Sequence, residues 1–243
     1  MAEVMRDSAL KRTLVSTYFS ALEVRSAIGG MARTASFGRR LDYNAYWQHR
    51  GPSALQPRFD LIAAALRPGE SVLDIGCGDG AMLEHFARTR GVRCVGVDIS
   101  SAAVALAQRR GVDARLDTPA DLLRDGETFD HVVLSEVIEH VADAERLALD
   151  AWALARRSLW ITFPNIAYFP HRLRLLAGKF PVQWAIFPAE HLRFWSVPDF
   201  ALWLRSLELP PPQLVASNGF TLARLHRVWP NLFGNQIVAR VDR

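Results

Sequence analysis

Cysteine, lysine and long apolar runs are the scarce features of this chain, and each scarcity excludes something. The two cysteines, Cys77 and Cys94, show none of the paired spacings that bind a structural zinc or staple a small secreted domain. A reducing cytoplasm is therefore the expected compartment. No apolar run reaches the roughly 18 residues a helix needs to cross a bilayer. The first residues mix Glu3, Arg6 and Asp7 without an apolar stretch, which argues against a secretory signal. Lysine is nearly absent: apart from Lys11 and Lys179 the basic residues are all arginine, which reads as coding bias before phosphate recognition. The net charge of +4 is confined to residues 1–40, which carry seven basic against three acidic residues. The remainder is neutral and has no basic stripe in sequence, so nucleic acid is not an expected partner.

Half of the 243 residues are apolar, enough for one sizeable core. Residues 1–40 read as an N-terminal extension, either a helix over Ser8–Ala27 broken by Gly29-Gly30, or a mobile arm with an alternative start at Met31. Residues 41–243 read as the main domain. Asp42–Gly51 is aromatic and polar. Pro52–Leu66 has Leu55, Phe59, Ile62 and Leu66 at helical spacing. Short apolar strands are then expected at 71–75, 93–97, 112–116, 129–135 and 158–163, alternating with helices at 80–88, 101–110, 119–124 and 143–157. That alternation predicts an α/β fold, a mostly parallel sheet with helices on both faces. Asp143 precedes an alanine-rich run and is expected to cap its helix. Residues 164–195 form an aromatic, arginine-rich insertion with a short helix near 170–177. A helix at 198–207 and strands at 213–217 and 235–241 follow.

The most informative stretch is Val72-Leu73-Asp74-Ile75-Gly76-Cys77-Gly78-Asp79-Gly80. It reads as a buried strand running into a glycine turn and a helix. A second strand ends at Asp98, eighteen residues beyond Gly80. Glycines at such a turn let the backbone approach a ligand, and an acid at the tip of the next strand accepts from ribose hydroxyls. The pair predicts a nucleoside cofactor. Gly76-x-Gly78-x-x-Ala81 satisfies a dinucleotide fingerprint, but Asp74 on the strand and the extra Gly80 point away from a nicotinamide site.

On these residues the chain resembles the class I S-adenosylmethionine (SAM)-dependent methyltransferases over about residues 42–243. The resemblance implies a Rossmann-like seven-stranded sheet of order 3-2-1-4-5-7-6. It also implies a SAM site in which Asp74, Gly76, Cys77, Gly78 and Gly80 flank the methionine part, Asp98 holds the ribose, Ile99 lies against the adenine and Asp117 meets its amino group. The segment Phe129–Ser135 fits the fourth-strand motif beneath the reacting centre, with Ser135 at the cofactor. Two branches are echoed. Ile161-Thr162-Phe163-Pro164-Asn165, Arg172–Leu176 and Pro230-Asn231-Leu232-Phe233-Gly234 resemble the methionine-biosynthesis protein W group. Ser135-Glu136-Val137-Ile138-Glu139-His140-Val141 resembles ubiquinone-type and small-RNA 2′-O-methyltransferases.

Glu136, Glu139 and His140 stand at i, i+3 and i+4, a spacing that shares one face of a helical turn. Two carboxylates and an imidazole suit a divalent cation such as magnesium or manganese with positions open for substrate oxygens. In the similar O-methyltransferases a later histidine completes the site, and His191 is its counterpart here. Glu139, His140 and His191 are accordingly the expected catalytic residues, because a hydroxyl nucleophile must lose its proton to a base or a metal. Tyr43, Tyr46, Trp47 and Arg50 either close over the cofactor or form a packed cap. The expected activity is methyl transfer to a hydroxyl of a small molecule, glycan or quinone-like acceptor. A non-catalytic SAM-binding partner of another protein, and RNA 2′-O-methylation through Arg172, Arg174 and Arg193, stand as alternatives.

Overall fold

The computed structural model describes residues 42–181 and 191–243. The expectations for residues 1–40, and for residues 182–190 of the insertion at 164–195, lie outside the described residues. The chain runs α1 (Tyr43–His49), α2 (Pro57–Ala63), β1 (Ser71–Ile75), α3 (Ala81–Arg90), β2 (Arg93–Val97), α4 (Ser101–Arg109), β3 (Asp113–Arg115), α5 (Pro119–Arg124) and β4 (Phe129–Ser135). A 3-10 turn at Ile138–His140 leads to α6 (Ala144–Leu154), β5 (Ala155–Pro164), α7 (Phe169–Leu176), α8 (Val197–Ser206) and β6 (Gln213–Gly219). A second 3-10 turn, Leu222–Arg224, precedes the one-turn helices α9 (Leu225–Val228) and α10 (Pro230–Phe233), and β7 (Gly234–Asp242) closes the fold.

The seven strands form one sheet of order β3-β2-β1-β4-β5-β7-β6, the order the resemblance implied. Strands β1 to β5 pair in parallel, and β7 enters antiparallel between β5 and β6. A central parallel strand is covered on both faces and must be apolar throughout. Val72-Leu73 and Val132-Val133-Leu134 meet that demand and are completely buried. One core packs α2, α3 and α4 on Val72, Val133 and Trp160. The other packs α5, α6 and α8 on Leu73, Val132, Leu159 and Ile161. Phe163 stacks on Phe200 at 3.9 Å, and Trp195 meets Phe200 edge-on at 5.6 Å, so Trp195 belongs to the core.

Three boundaries differ from the sequence expectation. The helix read at 52–66 begins only at Pro57, which can occupy a first turn but not a helix interior. Residues 50–56 before it are non-helical, and Leu55 is exposed instead of packing with Phe59, Ile62 and Leu66. The helix read at 143–157 stops at Leu154, and Ala155–Arg157 extend β5. There Ala155 pairs with Phe129, while Arg156 and Arg157 reach Asp130 at 3.2 and 3.5 Å. Asp42–Gly51, given no element from its pattern, contains α1, capped by Asp42 accepting from the amides of Asn44 and Ala45. Asp143 caps α6 as expected, accepting from the Arg146 amide.

The two ends of the sheet have different characters. At the amino-terminal ends of the strands, His131 joins Ser158 Oγ at 2.7 Å and Glu70 Oε2 at 3.0 Å. Glu70 and Asp130 are bound there by Arg157 and Arg156. At the carboxyl-terminal ends, Asn165 is fully buried. Its side-chain amide donates to the carbonyls of Pro230, Asn231 and Gly234, tying the exit of β5 to the start of β7.

His171, in α7, is buried beside Tyr168, and burial lowers its pKa from 6.5 to about 4. The folded protein therefore holds the neutral ring where the unfolded chain takes up a proton. His171's contribution is intact above pH 6.5 and erodes as pH falls towards 4, by on the order of 3 kcal/mol. Urea denaturation at several pH values should show a decline across this window that is shallower in His171→Gln.

Candidate active site

The site is built at the carboxyl-terminal ends of β1, β2 and β4, where open α/β sheets bind ligands. Gly76, Gly78 and Gly80 all lie in the left-handed region, at φ of 76°, 56° and 74°. The turn is fixed to its neighbour because the amides of Gly76 and Cys77 both donate to the Val97 carbonyl, at 2.8 and 3.1 Å. A Cβ on Gly76 would lie 2.6 Å from Val137, and one on Gly78 would lie 2.5 Å from Trp47. Only glycine combines that backbone with that space. Cys77 needs a correction: its side chain turns into the core against Gly96, and burial pushes its thiol pKa up, so only its backbone belongs to the turn.

Two acids face this turn. Asp98 is buried and accepts from the amides of Gly78 at 3.0 Å and Ser100 at 2.8 Å. Burial raises its pKa. Asp74 is more enclosed, and its Oδ1 has no hydrogen-bond partner. Burial and then the charge of Asp98 hold the Asp74 pKa well above the usual carboxylate range, while Arg58 opposes them. A buried acceptor without a donor is costly. Here it lies beside a glycine cradle, the arrangement that a positively charged ligand group satisfies, and the residues present fit SAM. On the far side of Asp98, Ile99 and Leu116 are large exposed apolar side chains at the tips of β2 and β3. Asp117 follows, half-buried, in the loop after β3.

At the end of β4, Ser135 Oγ accepts from Arg58 Nε at 2.9 Å. Arg58 also donates to Gln236 on β7 at 3.1 Å, so α2 delivers a guanidinium across the strand ends. Nothing in the helical pattern of 52–66 singled out Arg58. Its neighbours give no signal either: Phe59 is core, while Pro57 and Asp60 are exposed.

Glu136 also needs a correction. It does not share a helical face with Glu139 and His140, because its φ is +58°, in the left-handed region. Its amide donates to Thr162 Oγ1 at 3.0 Å, and its Oε1 accepts from the same hydroxyl at 2.9 Å. That pairing with β5 leaves the carboxylate outside the group of ligand atoms formed by Glu139, His140 and His191, though its charge still reaches Glu139.

Glu139, His140 and His191 do come together, each offering a ligand atom within 4.8 Å of the others. Glu139 is almost fully enclosed, and neither of its oxygens has a hydrogen-bond partner. Burial, with the nearby charge of Glu136, raises its pKa strongly. The rings of His140 and His191 meet edge-on at 4.7 Å. Burial and then His140 lower the His191 pKa to about 4, leaving its ring neutral at pH 7. Local chemistry places His191: the amides of Leu192 and Arg193 donate to the Glu139 carbonyl, and Arg193 grips both oxygens of Glu145 at 2.7 and 2.8 Å. A buried carboxylate without donors beside two imidazoles fits a divalent cation. The basic patch considered for RNA is not assembled as a free surface: Arg172 and Arg174 bond to backbone carbonyls, and Arg193 is held by Glu145.

The sheet order, the glycine turn and the acid at the tip of β2 define a class I SAM-dependent methyltransferase. The family model for methionine biosynthesis protein MetW matches residues 56–241, and the chain belongs to that family. It is also similar to two proteins named ubiquinone biosynthesis O-methyltransferase. The protein from Hahella chejuensis is 31% identical over 163 residues, covering 63% of this chain and 68% of that protein. The protein from Parvibaculum lavamentivorans is 35% identical over 136 residues, covering 52% of this chain and 53% of its own length. In fold, the chain is similar to magnesium protoporphyrin IX methyltransferase from Synechocystis PCC 6803 with bound SAH, at a TM-score of 0.56 and 18% identity. That match covers 96% of this chain and 99% of the other. Among the described residues no helix is long and apolar enough to cross a membrane.

Proposed function

We propose that this protein transfers the methyl group of SAM to a hydroxyl oxygen of a small, phenolic or quinone-like acceptor. The observation that carries this reading is Glu139, buried without a hydrogen-bond donor and joined to His140 and His191 beside the cofactor acids. An oxygen nucleophile has a proton to lose, and such a cluster receives it. The names of the ubiquinone-pathway relatives support the acceptor class.

When bound, SAM supplies a methyl already activated by its sulfonium. Asp98 then accepts from the ribose hydroxyls, and Ile99 with Leu116 offers apolar contact to the base, with Asp117 beside it. Asp74 balances positive charge at the turn, and the Arg58 guanidinium is the matching group for a carboxylate. Gly76, Gly78 and Gly80 admit the ligand to the backbone, and Ser135 steadies Arg58. On the acceptor side, Glu139, His140 and His191 orient the hydroxyl and take its proton. His140 is the more exposed partner, with its Nε2 3.9 Å from Glu139 Oε1. Magnesium or manganese held by those three residues would supply Lewis acidity at that oxygen. Thr162 keeps Glu136 out of this group, so Glu136 contributes charge rather than a ligand atom.

The test is methyl incorporation from labelled SAM into a panel of catechols and polyprenylated phenols, with and without EDTA. Incorporation that EDTA lowers at least about ten-fold fits the metal-assisted form, whereas EDTA-resistant turnover removes the metal and leaves His140 as base. Undetectable incorporation by a protein that binds S-adenosylhomocysteine would favour the second reading, a SAM-binding protein acting on a partner in methionine synthesis. The match of the MetW family model to residues 56–241 is what keeps that reading in view.

A further inference from the structure

Helix α1 is seven residues long and buries none of its side chains. A helix this short has no stability of its own, so what it touches decides where it lies. Its contacts fall on both sides of the cofactor site. On one side Trp47 packs over Gly78, where a Cβ would meet the indole at 2.5 Å. On the other, Asn44 Oδ1 accepts from Ser100 Oγ at 2.8 Å, and from Ser101 Oγ and the Ala102 amide at 3.3 Å. Ser100 is itself bonded to Asp98 through its amide. The helix therefore roofs the path from the glycine turn to the ribose acid.

Beyond α1 the chain is anchored again at Ser53, whose amide donates to Asp79 Oδ2 at 2.8 Å, and Asp79 is paired with Arg110. Between these points lie Arg50, Gly51 and Pro52, all exposed, and a Cβ on Gly51 would meet nothing within 4 Å. Arg50 caps the roof from outside, with its guanidinium 4.9 Å from the Tyr46 ring centre and 5.4 Å from that of Trp47. A short, exposed helix held at Asn44, at the Tyr43 carbonyl that accepts from Ser100 Oγ at 3.4 Å and at Trp47, next to an unpacked joint, sits at the low end of local stability.

We propose that α1 is a hinged cover for the cofactor, latched by Asn44 and pivoting at Arg50–Pro52, which closes behind bound SAM and sets how long it stays. The proposal rests on the reading of the glycine turn as the cofactor cradle. Asn44 is a positioning residue: it acts by holding Trp47 over Gly78. Because α1 buries nothing, removing the latch leaves the folded core intact.

Asn44→Ala tests this with S-adenosylhomocysteine as the probe. In stopped-flow displacement the ligand should leave about ten-fold faster than from the wild type, the change expected from losing one to two net hydrogen bonds. Saturating ligand should slow tryptic cleavage after Arg50 in the wild type and protect the variant much less, with the thermal midpoint unchanged. An unaltered dissociation rate in a wild-type protein that binds the ligand overturns the cover alone. Tighter binding by the variant also overturns it, since α1 would then be an obstruction. If the wild type does not bind S-adenosylhomocysteine, the cradle reading fails and takes the cover with it.

Discussion

Asp98→Ala should weaken SAM binding by at least about 100-fold in isothermal titration, the loss expected from two charge-assisted hydrogen bonds to a ligand. The same change should lower stability by about 1–3 kcal/mol, because Asp98 also receives the amides of Gly78 and Ser100 within a buried turn. Asp98→Asn separates the two effects in part: its one amide oxygen can accept from Gly78 or from Ser100, its NH2 then faces the other amide, and it carries no charge for the ribose. It should recover part of the thermal stability and little of the affinity. Unchanged affinity in either variant would remove the cofactor role of the tip of β2.

Glu139→Gln is expected to move activity and stability in opposite directions. Turnover should fall by about 100-fold or more, the usual scale for removing a participant in proton transfer. The metal-free protein, however, should become more stable by about 1–2 kcal/mol near pH 8, because the charge of a carboxylate without donors is removed from the interior. The sign follows from the raised pKa of Glu139. In the wild type its contribution is fully present below the unfolded value near 4.5 and is lost as pH rises through the folded value. The glutamine variant does not titrate, so the gap between the two proteins should open with pH. Differential scanning calorimetry from pH 5 to 8 in EDTA measures it. A variant less stable than the wild type at every pH would show that Glu139 is satisfied in place and is not a waiting ligand.

The legible part of the fold was the part governed by local rules. Val72-Leu73 and Val132–Leu134 announce buried parallel strands because both of their faces are covered, and Gly76–Gly80 announces a turn that other residues cannot make. Boundaries failed where tertiary partners decided. Ala155–Arg157 look helical after Leu154, yet they are drawn into β5 by pairing with β4 and by Asp130. Within the site, the Glu139–His140 pair was legible because its spacing survives in a single turn, and His191 came from resemblance. Arg58 and Thr162 were not legible as site residues, since each reaches the site from a separate element, α2 and β5, and neither sits in a chemical pattern of its own. Glu136 was misread because a left-handed residue at the end of a strand breaks the periodicity that the spacing argument assumed.

The network of His131, Ser158, Glu70, Asp130, Arg156 and Arg157 lies under the opposite rim of the sheet from the glycine turn and the Glu139 cluster. Durability and chemistry are thus lodged in separate halves of each strand. Mutational drift can retune one rim without disturbing the other, and an engineer wishing to harden this scaffold has a place to work that leaves acceptor choice untouched.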